Sequence, residues 1–281
     1  MVAGAARPGV RTGARRADRS ALVNKREVIR AVARERARTL ALLRPLPPER
    51  FDAPTALPGW RVREVVAHLI SVDRAAVTGA IVAQVFASME KLERWNDRQV
   101  GRWSEGTTVD LLLALDRWGR RFGAFARALP APLYRLRMPS MLGGAPGGML
   151  IWIRAYDEWV HRQDIRRALG MEDEEVDVEP VAEFLLEAIA TSTVPKVEGA
   201  VGRVAIALDQ VAVPEWGYDL ASGAAGPEVA AGAEARIHAG PGFIMAAAGR
   251  DRFDKLEERG VLKIEGDEAP ARRLLEKLRI V

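Results

Sequence analysis

At 281 residues, with 48% hydrophobic and 28% charged side chains, the chain can bury a substantial core and is long enough for two domains of ordinary size. It contains no cysteine, which excludes disulfides, cysteine-based zinc sites and any protein thiol nucleophile, and which is compatible with a reducing cytoplasm. The net charge of +4 is uneven, because residues 1–39 hold eleven Arg or Lys against Asp18, Glu27 and Glu35, a surplus of +8 that leaves the remainder at −4.

Residues 1–20 are rich in Arg, Ala and Gly without apolar periodicity, which predicts a solvated basic tail rather than a nucleic-acid arm. No apolar core follows its first charges, so a secretory signal is not expected, whereas composition alone leaves an organelle transit peptide open. Nowhere does the chain reach the roughly 18 uninterrupted apolar residues of a membrane span. From Ala21 to Leu46, Val28, Ile29, Val32, Leu40 and Leu43 recur among arginines as on an amphipathic helix, stopped by Pro45, Pro47 and Pro48. Pro58-Gly59-Trp60 then opens a second helix, with Val62, Val65, Val66, Leu69, Ile70, Val77 and Ile81 at helical spacing as far as about Met89. Residues 90–106 are polar and aromatic and suggest no element.

Thr107 and Asp110 resemble a capping box for a third helix, from Val109 to about Leu129. Residues 130–148, rich in glycine and proline, read as a loop. A fourth long helix, Met149 to Leu169, stops at Gly170 as a left-handed cap would stop it. Four long helices suggest a bundle over residues 21–171, and a bundle interior is a common place for a metal site. The acidic stretch Glu172 to Glu179 looks like a linker, at 172–180, before a smaller α/β domain at 181–281. There the pattern predicts a helix from Val181 to Thr191, alternating segments at Gly202 to Leu208 and Ala233 to His238, and a helical run at Phe243 to Ala248. A strand at Val261 to Ile264 and a last helix from Glu268 to Leu278 complete an α+β chain.

Two of the three histidines could serve a metal. His68 sits in the apolar helical run, and His161 follows Asp157 by four residues, so carboxylate and imidazole share one helix face about one turn apart. Two nitrogens and one oxygen make the ligand set of a catalytic zinc with an open fourth position, although iron, nickel or manganese would also accept it. Spacing alone leaves a plainer alternative open, a core imidazole bonded to a carbonyl beside a chance D-x-x-x-H. Glu158 points about 100° around the helix from Asp157 and is not expected to be a ligand. His238 alternates with Ile237 on a strand and reads as surface.

The segments Leu57-Pro58-Gly59-Trp60-Arg61-Val62-Arg63-Glu64-Val65-Val66-Ala67-His68-Leu69 and Asp157-Glu158-Trp159-Val160-His161-Arg162-Gln163-Asp164-Ile165-Arg166-Arg167-Ala168-Leu169-Gly170 resemble the mycothiol-dependent maleylpyruvate isomerase family. That family belongs to the DinB-like metal-binding four-helix bundles. Gly249-Arg250 and Leu262-Lys263-Ile264-Glu265-Gly266-Asp267 are similar to the sterol-carrier-like α/β domain that many members append. The resemblance implies a divalent metal, usually zinc, on His68, Asp157 and His161. Family members more often have glutamate where this chain has Asp157, one methylene shorter.

The resemblance also implies a metal-activated small thiol, mycothiol or a similar one, as cosubstrate, since the thiolate and not the thiol is the nucleophile. Addition to an electrophilic alkene would permit isomerisation or transfer. A developing enolate or carboxylate suits arginine; Arg154 and Arg162 flank the ligand helix, and Arg250 would come from the second domain as a catalytic group. Arg162, Arg166, Arg167 and Asp164 otherwise read as a solvated or interdomain face. Trp60 and Arg154 are the candidate cofactor contacts, with Trp60 alternatively a staple against the bundle and Trp152 core. Two competing readings stay open: a metal or small-molecule binding protein without turnover, and a thiol-independent metal hydrolase. The expected partners are the thiol and a small substrate, with neither membrane nor nucleic acid, for a cytoplasmic monomer or homodimer.

Overall fold

Asn24 begins the first helix by accepting a hydrogen bond from the Arg26 backbone N–H, and α1 then runs Lys25–Leu43 in a computed structural model. The structure describes residues 24–80, 89–140, 143–174, 178–197 and 199–280, so the basic tail expected over residues 1–20 lies outside the described residues. After a short 3-10 turn at Pro48–Asp52, Glu64 accepts from the Arg61 backbone N–H at 2.8 Å and starts α2, Val62–Thr78. Gly79, with φ of +76°, closes α2 in the left-handed conformation, so the helix is shorter than the apolar spacing suggested. The expected extension through residues 81–88 falls outside the described residues.

Met89–Ser104 forms α3, which the sequence reading missed. Its apolar residues in the sequence, Met89, Leu92, Trp95, Val100 and Trp103, do recur near helical spacing among charges, a stripe the reading of residues 90–106 as polar passed over. Thr107 and Asp110 form the expected capping box at the start of α4, Thr108–Ala128. The presumed loop after it contains a short helix, α5, Ala131–Arg135, and a hairpin of β1, Arg137–Ser140, with β2, Gly143–Pro146. Next comes α6, Gly147–Ala168, capped beyond Leu169 by Gly170 at φ +74°. Helices α1, α2, α4 and α6 make the four-helix bundle, with α3 laid against α2.

Buried residues occur all round α6, because it packs on α1, on α2 and on the following helix α7, Glu179–Ser192. The acidic stretch before α7 is tied to α6: Arg166 donates to the Glu172 carbonyl, Arg167 to Asp173, and Arg162 to Glu174. A five-stranded sheet follows, with β3 (Arg203–Leu208), β4 (Trp216–Asp219), β5 (Ala225–Gly226), β6 (Ala235–Ala239) and β7 (Leu262–Gly266) in the order β5-β4-β3-β6-β7. Strands β3 and β6 are parallel and the other pairs antiparallel. Short helices α8 (Pro227–Ala230), α9 (Gly242–Ala247) and α10 (Phe253–Glu258) interrupt the strands, and α11 (Glu268–Lys277) closes the sheet. The two short strands β4 and β5 lacked a legible alternation.

One apolar core runs from Trp152, Tyr156 and Trp159 of α6 through Phe184 of α7 to Val204, Ile206 and Phe243 beside the sheet. A second gathers Leu43, Phe51, Val65, Leu69, Leu111 and Ile165 inside the bundle. The start of α6 allows no side chain at Gly147, where a Cβ would fall 2.2 Å from the Leu133 carbonyl oxygen, a backbone atom that cannot swing away. Gly147→Ala is therefore expected to cost about 1–3 kcal/mol of stability, read as a lower urea midpoint with unchanged slope.

Candidate metal centre

His68 on α2 and Asp157 and His161 on α6 offer three donor atoms that all lie within 4.8 Å of one another. His68 Nε2 is 3.8 Å and His161 Nε2 3.5 Å from the same oxygen, Asp157 Oδ1. Both separations are long for hydrogen bonds. They approach the spacing of roughly 3.3–3.6 Å that donors adopt when each sits about 2.0–2.2 Å from one tetrahedral ion. His68 Nδ1 is buried without a hydrogen-bond partner, so this imidazole is not explained as a core histidine bonded to a carbonyl. The donor set therefore fits a divalent ion of the zinc type. His68 is 8% and His161 6% exposed, and the Asp157 side chain at 22% is the edge of the cluster that reaches solvent.

Two of the three donors, Asp157 and His161, are braced by a charged partner. Asp157 presents Oδ1 to the imidazoles and gives Oδ2 to the Arg154 guanidinium. His161 Nδ1 lies 2.9 Å from Asp164 Oδ2, and since a carboxylate only accepts, the proton sits on Nδ1 and Nε2 faces the cluster. The Trp60 loop is fixed by its own backbone, Trp60 donating to Leu57 and accepting from Thr55, with Gly59 at φ +77°. The Trp60 ring is thereby laid 5.3 Å from the His68 ring and 6.3 Å from that of His161.

Residues 32–166 match the family model described as Mycothiol maleylpyruvate isomerase N-terminal domain. The matched stretch spans most of the bundle, which therefore resembles that family's N-terminal domain. The crystal structure of the mycothiol-dependent maleylpyruvate isomerase shares the fold with a TM-score of 0.56 and 16% identity, over 87% of this chain and 94% of that one. A histidine-to-alanine mutant of that isomerase matches with the same TM-score and coverage at 15% identity. No curated protein matches the chain. At these identities the likeness is one of fold, and its coverage takes in the sheet as well as the bundle.

Inside the bundle, charge is buried well beyond the three donors. Arg36 of α1 donates to Glu158 at 2.9 and 2.7 Å, to Asp73 at 2.8 Å and to the Leu115 carbonyl at 2.7 Å. Arg154 bridges Asp73, at 3.0 Å, to Asp157. Arg154 is only 4% exposed, so it holds the carboxylate and does not present an open guanidinium. Glu158 bonds Arg36 and lies outside the donor group, as its position on the helix implied. Arg162, expected on a solvated or interdomain face, is 1% exposed and lies 2.6 Å from Glu35; it is an internal strut. Asp164, assigned to the same face, is also buried.

Arg250 reaches over from the segment after α9 to Asp164, its Nε 3.2 Å from Oδ1, and so stands behind His161 through that carboxylate. His238 is half-buried on the sheet, 3.6 Å from Asp209 and 3.5 Å from Glu265, away from the donor group. Sequence reasoning missed Asp73 altogether and, for Asp164, the contact with His161. Only the i, i+3 spacing of His161 and Asp164 could have hinted at one of them.

Burial pushes the His68 imidazole down, even against Asp157, and keeps it neutral. Burial opposes charge on His161 too, but Asp157 and Asp164 outweigh it and the imidazole is pushed up to about 9. Asp157 is held well below the usual carboxylate range, since Arg154 and His161 overcome the cost of burial. A metal ligand must be deprotonated, so below about pH 9 an incoming ion displaces one proton from His161. Apparent zinc affinity should therefore climb toward about tenfold per pH unit between roughly 7 and 9 and level off above. Titration calorimetry in buffers of different ionisation enthalpy should count about one proton released per ion near pH 7.

Proposed function

We propose that this chain is a metal-dependent enzyme that uses mycothiol or a similar small thiol, in a reducing cytoplasm, to isomerise or to be transferred to a small electrophilic substrate. The supporting observation is the convergence of His68, Asp157 and His161 on one point, with Asp157 and His161 braced from behind. A divalent ion, zinc by donor type, lowers the pKa of a thiol bound to it until the thiolate prevails. With no cysteine in the chain, that sulfur has to come from a second molecule.

The chain's own residues do the rest. Arg154 fixes the Asp157 carboxylate, Asp164 fixes the tautomer of His161, and burial keeps His68 neutral. Trp60 walls the imidazoles with an aromatic face against which the thiol would lie. Arg250 acts at one remove, through Asp164. Addition of the thiolate to an activated carbon–carbon double bond leaves a single bond free to rotate; expelling the thiolate returns the isomer, and protonating the adduct gives the transfer product. The bundle at 21–171 and the α/β part at 181–281 would serve as the two domains of one enzyme.

The test is spectroscopic. Cobalt(II)-loaded protein titrated with a small thiol should develop a sulfur-to-metal charge-transfer band, absent in His161→Ala. Cobalt bound without any thiol response would reduce the chain to a metal-binding protein, and turnover without thiol would make it a hydrolase.

A further inference from the structure

Asp73 follows His68 by five residues on α2, about 7.5 Å farther along the helix, and is only 2% exposed. It is not among the three donors. Its Oδ1 accepts from Arg154 Nε at 3.0 Å and its Oδ2 from Arg36 Nη2 at 2.8 Å, so one buried carboxylate pins two guanidinium groups.

Arg154 carries the effect to the donors. It donates through Nε to Asp73 and through Nη1 to Asp157 Oδ2, while its Nη2 is buried without a hydrogen-bond partner, 3.7 Å from Glu158 Oε2. A guanidinium is planar and rigid, so fixing Nε fixes where Nη1 lies. Without Asp73, Glu158 is the next carboxylate to which Arg154 can turn. With Asp157 Oδ2 taken by Arg154, only Oδ1 is presented to His68 and His161. A carboxylate with both oxygens free can hold a cation through the two together, and this one is limited to one.

Resting on the trio as a thiol-activating metal centre, we propose that Asp73 is a positioning residue: through Arg154 it restricts Asp157 to one oxygen, so that a bound ion keeps its fourth position open to the thiol. Loss of Asp73 then closes the thiol position without emptying the site, whereas a carboxylate that merely balances buried charge would affect stability and leave the ion's ligands alone. Cobalt(II) in the whole chain reads the difference, because its visible bands are strong in a tetrahedral site and weak at higher coordination number. Asp73→Asn has one oxygen where the carboxylate has two, so only one arginine keeps its partner. Checked first for native circular dichroism, it should retain its cobalt, lose visible intensity, and need roughly 10–100 times more 2-mercaptoethanol to develop the sulfur-to-metal charge-transfer band. Arg154→Lys keeps the charge but not the fork; it should show the same change, and it carries the test if Asp73→Asn does not fold. Arg36→Lys disturbs the network from its far end and should leave the bands and the thiol demand as they are. Cobalt lost from the folded variants, cobalt bound with unaltered bands and thiol demand, or an equal change in Arg36→Lys would each overturn the role of Asp73 while leaving the metal centre standing. An unaltered chain that takes up no cobalt would overturn both.

Discussion

His161→Ala and His68→Ala should each purify with less than about a tenth of the metal per chain that the unaltered protein carries, and Asp157→Ala with visibly weakened retention. Three protein ligands are the minimum of an open site, so removing one leaves two donors and an ion that exchanges freely with buffer. The carboxylate differs from the imidazoles because it is the most exposed of the three and the one that water can best replace. Asp164→Asn sharpens the test. It deletes no donor, yet it takes the charge from the partner of His161 Nδ1, and loss of such a supporting group typically costs about 10–100-fold in metal affinity. Elemental analysis after dialysis gives the stoichiometry and competition with a chelator the affinity; full metal content in all four variants would sink the site.

The second large effect concerns stability. Arg36→Met should cost about 3–5 kcal/mol, because it leaves Asp73 and Glu158 facing each other in the interior with Arg154 alone to compensate. For a chain of this size that corresponds to a fall in Tm of roughly 10 °C, checked by calorimetry. Truncating Arg120, whose partner is Asp116 on the surface, should change little by comparison. The sign with pH follows from Glu158. Burial raises its carboxyl, but Arg36 and Arg154 hold it below its ordinary value, so its contribution is present above about pH 4.5 and is lost as pH falls through the depressed value. In Arg36→Met that acid-side loss should shrink, since the stabilised anion has lost its main partner.

The donor trio was legible because a helix turns spacing into direction: D-x-x-x-H sets Asp157 and His161 on one face, and His68 in an apolar run had to point inward. What braces them was hidden. Asp73 is satisfied by Arg36, 37 residues earlier, and Asp164 by Arg250, 86 residues later, so each resembles an ordinary helix-surface acid until the chain is folded. Arg162 was misread for the same reason, its partner Glu35 lying 127 residues away. The missed α3 has another cause. A helix that rests one narrow side on its neighbour is mostly charged, and the stripe Met89, Leu92, Trp95, Val100 and Trp103 was outweighed by the polar composition around it.

The contact from Arg250 to Asp164 makes the α/β half more than a passenger. A bundle cut free at residue 171 would lose the guanidinium that helps hold the Asp164 carboxylate behind His161, so the severed piece should bind its ion more loosely even if it keeps its shape. A transplanted replacement for that half would have to deliver a guanidinium to the same spot.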